Sequence, residues 1–175
     1  MAQPTVVDLL ARSEEYIKRH IPAPMMLDVP VEYRPHTVIL CCADGRLNPL
    51  ELFDLGAADA VVIRNIGCVL SRLIEDFLVI DQLVQINEVL IISHTDCGLT
   101  HATDDGVHTS MKSRVRGHDE EFDKIAVGSF RDNVARVKSD VEYFSNHACI
   151  RKELVGHVFG AVYDIQTGKL AKVEV

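Results

Sequence analysis

The fold is decided by residues 37–46, TVILCCADGR, in which a short apolar run gives way abruptly to small and polar residues. The same pattern recurs in ADAVVI at residues 58–63 and in EVLIIS at residues 88–93, each again followed by a polar residue. Apolar runs that are continuous rather than alternating are typical of strands buried on both faces, as parallel sheets require. Helices are predicted between them, over residues 48–56 and 71–86. This alternation predicts an α/β fold with a central, mostly parallel sheet flanked by helices.

The residues before this core predict a helix and an extended arm. Thr5 and Asp8 can form a capping pair at the start of an amphipathic helix that runs to His20. Four prolines then fall within residues 21–35, which excludes the interior of a helix there. Such a proline-rich arm either packs across its own domain or reaches onto a neighbouring subunit.

The residues after the third apolar run complete the predicted fold. Residues 98–117 are predicted to form an irregular loop, whereas residues 129–147 are predicted to form a helix. Two apolar stretches near the C-terminus, residues 154–164 and 169–175, predict a hairpin that turns at Thr167 and Gly168.

The composition is that of an ordinary globular protein, with 47% of the 175 residues hydrophobic and 25% charged. Since no internal repeat or flexible linker is present, the chain is predicted to be one domain, residues 1–175, in which residues 1–35 form the N-terminal helix and arm. The formal net charge of −8 repels phosphate backbones, so nucleic acid is excluded as the expected partner.

The sequence predicts a cytoplasmic protein with no membrane partner. No run approaches the ~18 apolar residues that a membrane-spanning helix needs. Residues 1–17 contain acidic residues and lack the basic segment and apolar stretch of a secretory signal. The five cysteines are an odd number, which argues against a disulfide framework and for a reducing compartment in which some thiols bind metal.

Side chains that can bind a metal follow the first and third apolar runs. Cys42 follows the first run, and His94 and Cys97 follow the third. Because ligands bind beyond the carboxyl ends of the strands in an open α/β sheet, we expect these side chains to meet at one edge. Two thiolates and an imidazole suit Zn²⁺, and three protein ligands leave the open fourth position of a catalytic site. Asp44 and Arg46 stand beside Cys42 and are the candidate catalytic residues, although such a pair can also be a plain surface ion pair.

Other site chemistries fit the sequence less well. A cysteine phosphatase needs a Cys-x₅-Arg motif, and the position that this spacing requires before Arg46 is Leu40. Neither a G-x-G-x-x-G run nor a P-loop motif is present. A non-catalytic zinc protein, with Asp44 as a permanent fourth ligand, stays open as an alternative. His101 and His108 could carry protons near neutral pH, but a solvated loop histidine is the commoner role.

Two motifs together resemble the signature of the β-class carbonic anhydrases. They are C-x-D-x-R at residues 42–46 and H-x-x-C-G at residues 94–98. Arg64 and Asn65, which lie between the motifs, and the order of strands and helices are also similar to that family. The resemblance is close over residues 36–100 and general to the C-terminus. The compact length and the pattern HTDCG-x₄-TDD resemble the smaller branch of the family, which also contains carbonyl sulfide hydrolases.

The resemblance implies a zinc enzyme that hydrates CO₂ reversibly to bicarbonate, through attack of zinc-bound hydroxide. It implies that the two cysteines and the histidine named above bind the zinc ion. Asp44 would accept the proton of the hydroxide and orient it, and Arg46 would hold Asp44 away from the metal through a bidentate pair. In a closed state Asp44 would itself take the fourth zinc position. Gly98 is the candidate substrate contact.

The resemblance leaves the substrate open between two small molecules. CO₂ and carbonyl sulfide are both linear triatomics that the same nucleophile attacks at carbon, so we expect CO₂ hydration, with carbonyl sulfide hydrolysis as the alternative. Gly45 and Leu99 depart from the residues common in the family, and the chain has no tryptophan for the bicarbonate pocket of some bacterial relatives. None of these departures removes a metal donor. The family also implies that subunits clasp through the N-terminal segment, which predicts a homodimer or a higher homo-oligomer.

Overall fold

The computed structural model describes residues 3–175, and the chain divides into two compact units. The first unit ends at Pro30, and the second is Val31–Val175. In the first unit, α1 (Val6–Ile17) begins with the predicted capping pair. The Thr5 side chain accepts the N–H of Asp8, and the Asp8 carboxylate accepts the N–H of Thr5. No residue of α1 is buried.

The second unit is built on one five-stranded sheet. Its strands are β1 (Thr37–Cys42), β2 (Val61–Asn65), β3 (Glu88–His94), β4 (Val158–Tyr163) and β5 (Leu170–Val173). Their order is β2-β1-β3-β4-β5, in which the first four strands run parallel and β5 pairs antiparallel with β4. The parallel sheet and the C-terminal β4–β5 hairpin confirm the predicted α/β fold.

Helices accompany the sheet on both faces. They are α2 (Pro49–Leu52), α3 (Ile74–Leu83), α4 (Asp104–Arg114), α5 (Asp119–Asp123) and α6 (Asn133–Asn146). Alternate residues of β1 enter two separate buried clusters, with Leu40 in one and Ile39 in the other. In the first cluster, Phe77 of α3 packs edge-on against Phe144 of α6, with ring centroids 4.7 Å apart. None of the helices within residues 3–175 is both long and apolar enough to cross a bilayer.

The prediction that residues 98–117 form an irregular loop is wrong. After a short turn at Gly98–Thr100, the chain forms the helix α4. The Thr103 side chain caps this helix by accepting the N–H of Gly106 at 3.1 Å. Acidic residues in its first turn and basic residues in its last turn interact favourably with the helix dipole. The cap and the placement of acidic and basic residues at opposite ends are therefore the sequence features that indicate this helix. Its few apolar residues give no clear hydrophobic period, which is why a loop was predicted.

Several predicted elements are shorter in the structure because local turns replace their ends. The helix predicted over residues 71–86 is a 3₁₀ turn, Leu70–Arg72, followed by α3. The helix predicted over residues 129–147 starts later, as α6, because the Asp132 side chain caps it. The helix predicted over residues 48–56 is the single turn α2.

The register of the parallel strands positions the functional residues. Cys42 at the end of β1 pairs with Asn65 at the end of β2, and Cys41 pairs with Ile92 near the end of β3. The carboxyl ends of these three strands therefore lie at one edge of the sheet. The loops that follow them come together there.

Candidate metal centre

Three side chains of the kinds that can bind a metal ion meet at the carboxyl edge of the sheet. The Sγ atoms of Cys42 and Cys97 and a ring nitrogen of His94 all lie within 4.8 Å of one another. All three residues are buried. Among residues 3–175, no other group of three or more such side chains is placed to hold a metal ion. The structure thus brings together the three donors that the sequence analysis selected.

The imidazole of His94 is oriented to bind a cation through Nε2. Its Nδ1 lies 2.9 Å from the carbonyl oxygen of Thr95, so Nδ1 carries the proton and donates it to that oxygen. In the neutral ring the lone pair therefore sits on Nε2, which is buried and lacks a hydrogen-bond partner within the described part of the chain. A buried polar atom left without a partner costs about 1–3 kcal/mol. A metal ion bound to Nε2 would remove that cost.

The two thiols are arranged to bind a cation as thiolates. Cys42 Sγ accepts the backbone N–H of Gly67 at 3.2 Å and that of Asp44 at 3.5 Å. The neighbouring Cys97 thiol, together with these N–H groups, lowers the pKa of Cys42 although burial opposes the shift. The pKa of Cys97 is raised, because the Cys42 thiolate holds its proton and because it is buried. A divalent cation stabilises both thiolates at once and so fits this pair.

Asp44 and Arg46 form a bidentate ion pair beside these donors. Arg46 Nε lies 3.0 Å from Asp44 Oδ1, and Arg46 Nη2 lies 2.7 Å from Asp44 Oδ2. The backbone N–H of Arg46 also donates to Oδ1, at 2.9 Å. These hydrogen bonds lower the pKa of Asp44 to about 2. The carboxylate is therefore ionised and is directed to Arg46.

Arg46 is also held by Asp96, from the loop that follows β3. Arg46 Nη1 lies 2.8 Å from Asp96 Oδ2, and Arg46 Nη2 lies 2.9 Å from the Asp96 carbonyl oxygen. The second carboxylate oxygen of Asp96 lies 2.7 Å from His101 Nε2. Asp96 has a φ of 54°, a left-handed conformation that aspartate adopts more readily than most residues. Sequence reasoning missed Asp96, whose only signal is its place between two metal donors.

Arg64 and Asn65, at the end of β2, hold the loops around the site. The Arg64 guanidinium donates to the carbonyl oxygen of Cys42 at 2.9 Å and to that of Asp44 at 2.7 Å. Asn65 exchanges two hydrogen bonds with the backbone of Val69, at 2.8 and 3.0 Å. Both side chains therefore brace loop backbone.

The other predicted residues lie close by. Gly98 directly follows the last donor, and a Cβ added there would meet no atom within 4 Å, so packing does not demand glycine at this position. The His101 side chain is 67% exposed. His108 is half-buried, and its Nε2 lies 3.0 Å from the carbonyl oxygen of Ile125.

Gly67 lies in the loop after β2, close to Leu99, and its backbone N–H donates to Cys42 Sγ. Its φ is 73°, and a Cβ added to it would lie only 2.2 Å from Leu99 Cδ1. Its N–H is the closer of the two backbone donors to Cys42. Leu99, a departure from the small residue expected there, thus requires a residue without a side chain at position 67.

We expect Gly67→Ala to lower the free energy of unfolding by roughly 3 kcal/mol or more, because a left-handed backbone and a steric overlap both add cost. Gly168→Ala is the matched control, since Gly168 has a φ of 72° but a Cβ there would meet no atom within 4 Å. Gly168→Ala should lower the free energy of unfolding only by the cost of the left-handed backbone, about 1–2 kcal/mol. Urea unfolding measures both values, and equal losses would contradict the proposed overlap with Leu99.

The comparison with known proteins decides the family. A family model described as carbonic anhydrase matches residues 37–170, which include all three donors. The chain belongs to the β-carbonic anhydrase family. It is 28% identical over 150 residues to β-carbonic anhydrase 1 of Mycobacterium tuberculosis, across 83% of this chain and 86% of that protein.

Two further proteins are similar to this member of the β-carbonic anhydrase family. A carbonic anhydrase structure from Glaciozyma antarctica matches with a TM-score of 0.80 and 31% identity, covering 94% of this chain and 95% of that one. The carbon disulfide hydrolase of Saccharolobus solfataricus is 26% identical over 155 residues, across 77% of this chain and 75% of that protein. These matches confirm the family resemblance of the two motifs, and they show that the family includes more than one named activity.

Proposed function

We propose that this protein is a zinc enzyme that hydrates CO₂ reversibly to bicarbonate. The observation that carries the proposal is the buried group of two thiols and an imidazole whose Nε2 lacks a partner within residues 3–175. Two thiolates and one imidazole form a zinc site with an open fourth position. Since both cysteines must be reduced to bind the ion, we place the enzyme in a reducing compartment such as the cytoplasm.

Cys42, His94 and Cys97 would hold the ion. The chemistry that zinc supplies when bound is acidification of a water molecule, from a pKa of roughly 15.7 towards 7. Two thiolates cancel the formal charge of the ion, so they weaken this acidification relative to three neutral ligands. The protein must therefore help by orienting the water.

Asp44 retains one acceptor position for that water. An ionised carboxylate has about four lone-pair positions. Only three N–H groups of Arg46 donate to it, and the Nε–H is shared between Oδ1 at 3.0 Å and Oδ2 at 3.2 Å. The remaining position can accept a hydrogen bond from the water and so direct its oxygen lone pair at the carbon of CO₂. Pairing with Arg46 keeps Asp44 ionised, because it lowers the pKa of the carboxyl to about 2. Asp44 therefore stays an acceptor at neutral pH.

The ion pair also argues against the alternative in which Asp44 is a permanent fourth ligand. Its Oδ2 lies 2.7 Å from Arg46 Nη2, and its oxygens do not join the group of three converging donors. Gly98, next to Cys97 and with open space where a side chain would be, is the residue that we assign to substrate contact.

The test compares two substrates on one zinc-loaded sample. Stopped-flow measurement with a pH indicator follows CO₂ hydration, and sulfide release follows carbonyl sulfide hydrolysis. We expect the larger kcat/KM with CO₂. A larger value with carbonyl sulfide would assign the enzyme to that hydrolysis instead, and stoichiometric zinc with neither activity would identify a non-catalytic zinc protein. Cys149→Ser is the control for thiol replacement, because Cys149 is exposed and is not one of the three donors.

We also propose that a second copy of this chain covers the apolar stripe of α1. Val6, Leu10 and Ile17 recur at the spacing of one helix face and are 73%, 62% and 72% exposed. Burying such side chains stabilises association by about 25 cal/mol per Å² of apolar surface. The protein is therefore a homodimer or a higher homo-oligomer, as the family resemblance implies.

Deleting residues 1–30 is expected to dissociate the oligomer and to remove most of the hydration activity, because it removes this stripe. Sedimentation velocity and the stopped-flow assay measure the two effects. Leu10→Glu should weaken assembly, whereas Ala11→Glu adds the same charge on another side of α1 and should not. A truncated protein that is monomeric and fully active would contradict the proposal.

A further inference from the structure

Asp96 is the second carboxylate on Arg46, and neither sequence motif gives it a role. Between them, Asp44 and Asp96 engage four of the five N–H groups of the guanidinium. Asp44 takes Nε–H and one Nη2–H. Asp96 takes one Nη1–H through its carboxylate and the other Nη2–H through its carbonyl oxygen. The plane of the guanidinium is therefore set by two loops, one after β1 and one after β3.

A second partner adds to the bidentate pair because the arginine is near solvent. The Arg46 side chain is 49% exposed, and a single exposed ion pair does little to hold a side chain in one orientation. A contact that joins residues 50 positions apart ties the arginine to the same loop that carries Cys97. Asp96 thereby couples the position of Arg46 to the segment between two of the donors.

We propose that Asp96 is a positioning residue that clamps Arg46, and through Arg46 keeps Asp44 turned away from the metal position. This inference rests on the proposed function. The Asp44 carboxylate is itself a possible zinc ligand, so it must be kept on the arginine for the fourth position to stay open. With the clamp loosened, Arg46 holds Asp44 less firmly, and a larger fraction of the molecules has the carboxylate on the metal.

Two substitutions weaken the clamp at the Asp96 side chain without straining the backbone, while the contact of Arg46 with the backbone carbonyl oxygen of residue 96 remains. Asp96→Asn removes the charge and keeps a residue that tolerates a φ of 54°. Asp96→Gly removes the side chain and adopts that conformation freely. Asp123→Asn is the matched control, because the Asp123 side chain has the same exposure of 56% and pairs with Lys112 at 2.7 Å.

We expect both Asp96 variants to keep the parental zinc content and KM while kcat for CO₂ falls roughly 3- to 30-fold, the range for residues that act through another. A second readout is independent of turnover. In protein loaded with Co²⁺ in place of zinc, visible absorption follows the binding of thiocyanate at the open metal position. Its apparent dissociation constant should rise by the same factor as kcat falls, because only molecules with the position open can bind it. Asp123→Asn should match the parent in both measurements.

Unchanged or higher kcat together with unchanged thiocyanate affinity in both Asp96 variants would overturn the inference. Loss of metal in proportion to the loss of activity would also overturn it, since Asp96 would then merely support the donors. If the parent does not hydrate CO₂, the proposed function fails, and the thiocyanate comparison still tests the clamp by itself.

Discussion

Replacing Cys42 or Cys97 by serine is expected to remove most of the zinc, from about one ion per chain in the parent to well below that. A serine hydroxyl stays protonated at neutral pH, so each variant loses one of the two thiolates that converge within 4.8 Å of His94. Hydration activity should fall to the background rate, because acidification of water depends on the ion. Metal analysis of the purified proteins measures the first effect, and stopped-flow measures the second.

Cys149→Ser separates loss of this site from a general effect of removing a thiol. Its exposed side chain lies outside the group of three donors, so its zinc content and turnover should equal those of the parent. Full zinc occupancy in both Cys42→Ser and Cys97→Ser would show that the ion is bound elsewhere. Because the ligands must be deprotonated to bind, lowering the pH should release the zinc from the parent protein.

Arg46→Ala is expected to lower kcat by ~10² to 10⁴, the usual worth of a group that handles or orients a proton. The substitution removes the Nε and Nη2 donors that lie 3.0 and 2.7 Å from the Asp44 carboxylate. Asp44 is then free to take the fourth metal position. Zinc content should stay near that of the parent, because none of the three donors is changed.

Asp44→Asn should give a loss of similar size for a different reason. The amide presents a donor where the carboxylate has an acceptor, so the attacking water is misaligned although the metal position stays open. The loss belongs in kcat rather than in stability, because the Asp44 side chain is 21% exposed and that of Arg46 is 49% exposed. Arg116→Ala, at an exposed position between α4 and α5, is the control for loss of a positive charge.

Near-parental turnover of Arg46→Ala or of Asp44→Asn, with CO₂ and with carbonyl sulfide, would refute the proposed mechanism even if the zinc site were intact. A loss of zinc in Arg46→Ala would instead show that the arginine maintains the donors. Together with the cysteine variants, these outcomes distinguish an enzyme from a protein that only binds zinc.

Most of the fold was predictable because each strand carries its own signal. The continuous apolar runs that precede Cys42 and His94 indicate strands buried on both faces, and the structure places both in a parallel sheet. The same logic selected the donors, because parallel strands place their carboxyl ends at one edge. The helix α4 escaped prediction because hydrophobic period, the main signal used, is weak there. The Thr103 cap could be recognised in the sequence, but the weak hydrophobic period outweighed it.

The sequence by itself therefore determined the order of the strands along the chain and the residue types that can hold a metal at their ends. Only the tertiary structure decided that His94 presents an Nε2 with no hydrogen-bond partner among residues 3–175, since its Nδ1 is the nitrogen that donates to the Thr95 carbonyl. It likewise decided that Asp96 binds Arg46, which lies 50 positions away in the sequence. The same holds for Leu99, which leaves no room for a side chain at position 67. These contacts depend on the paths of loops between strands. Side-chain periodicity describes only residues within one element, so it carries no information about where two separate loops meet.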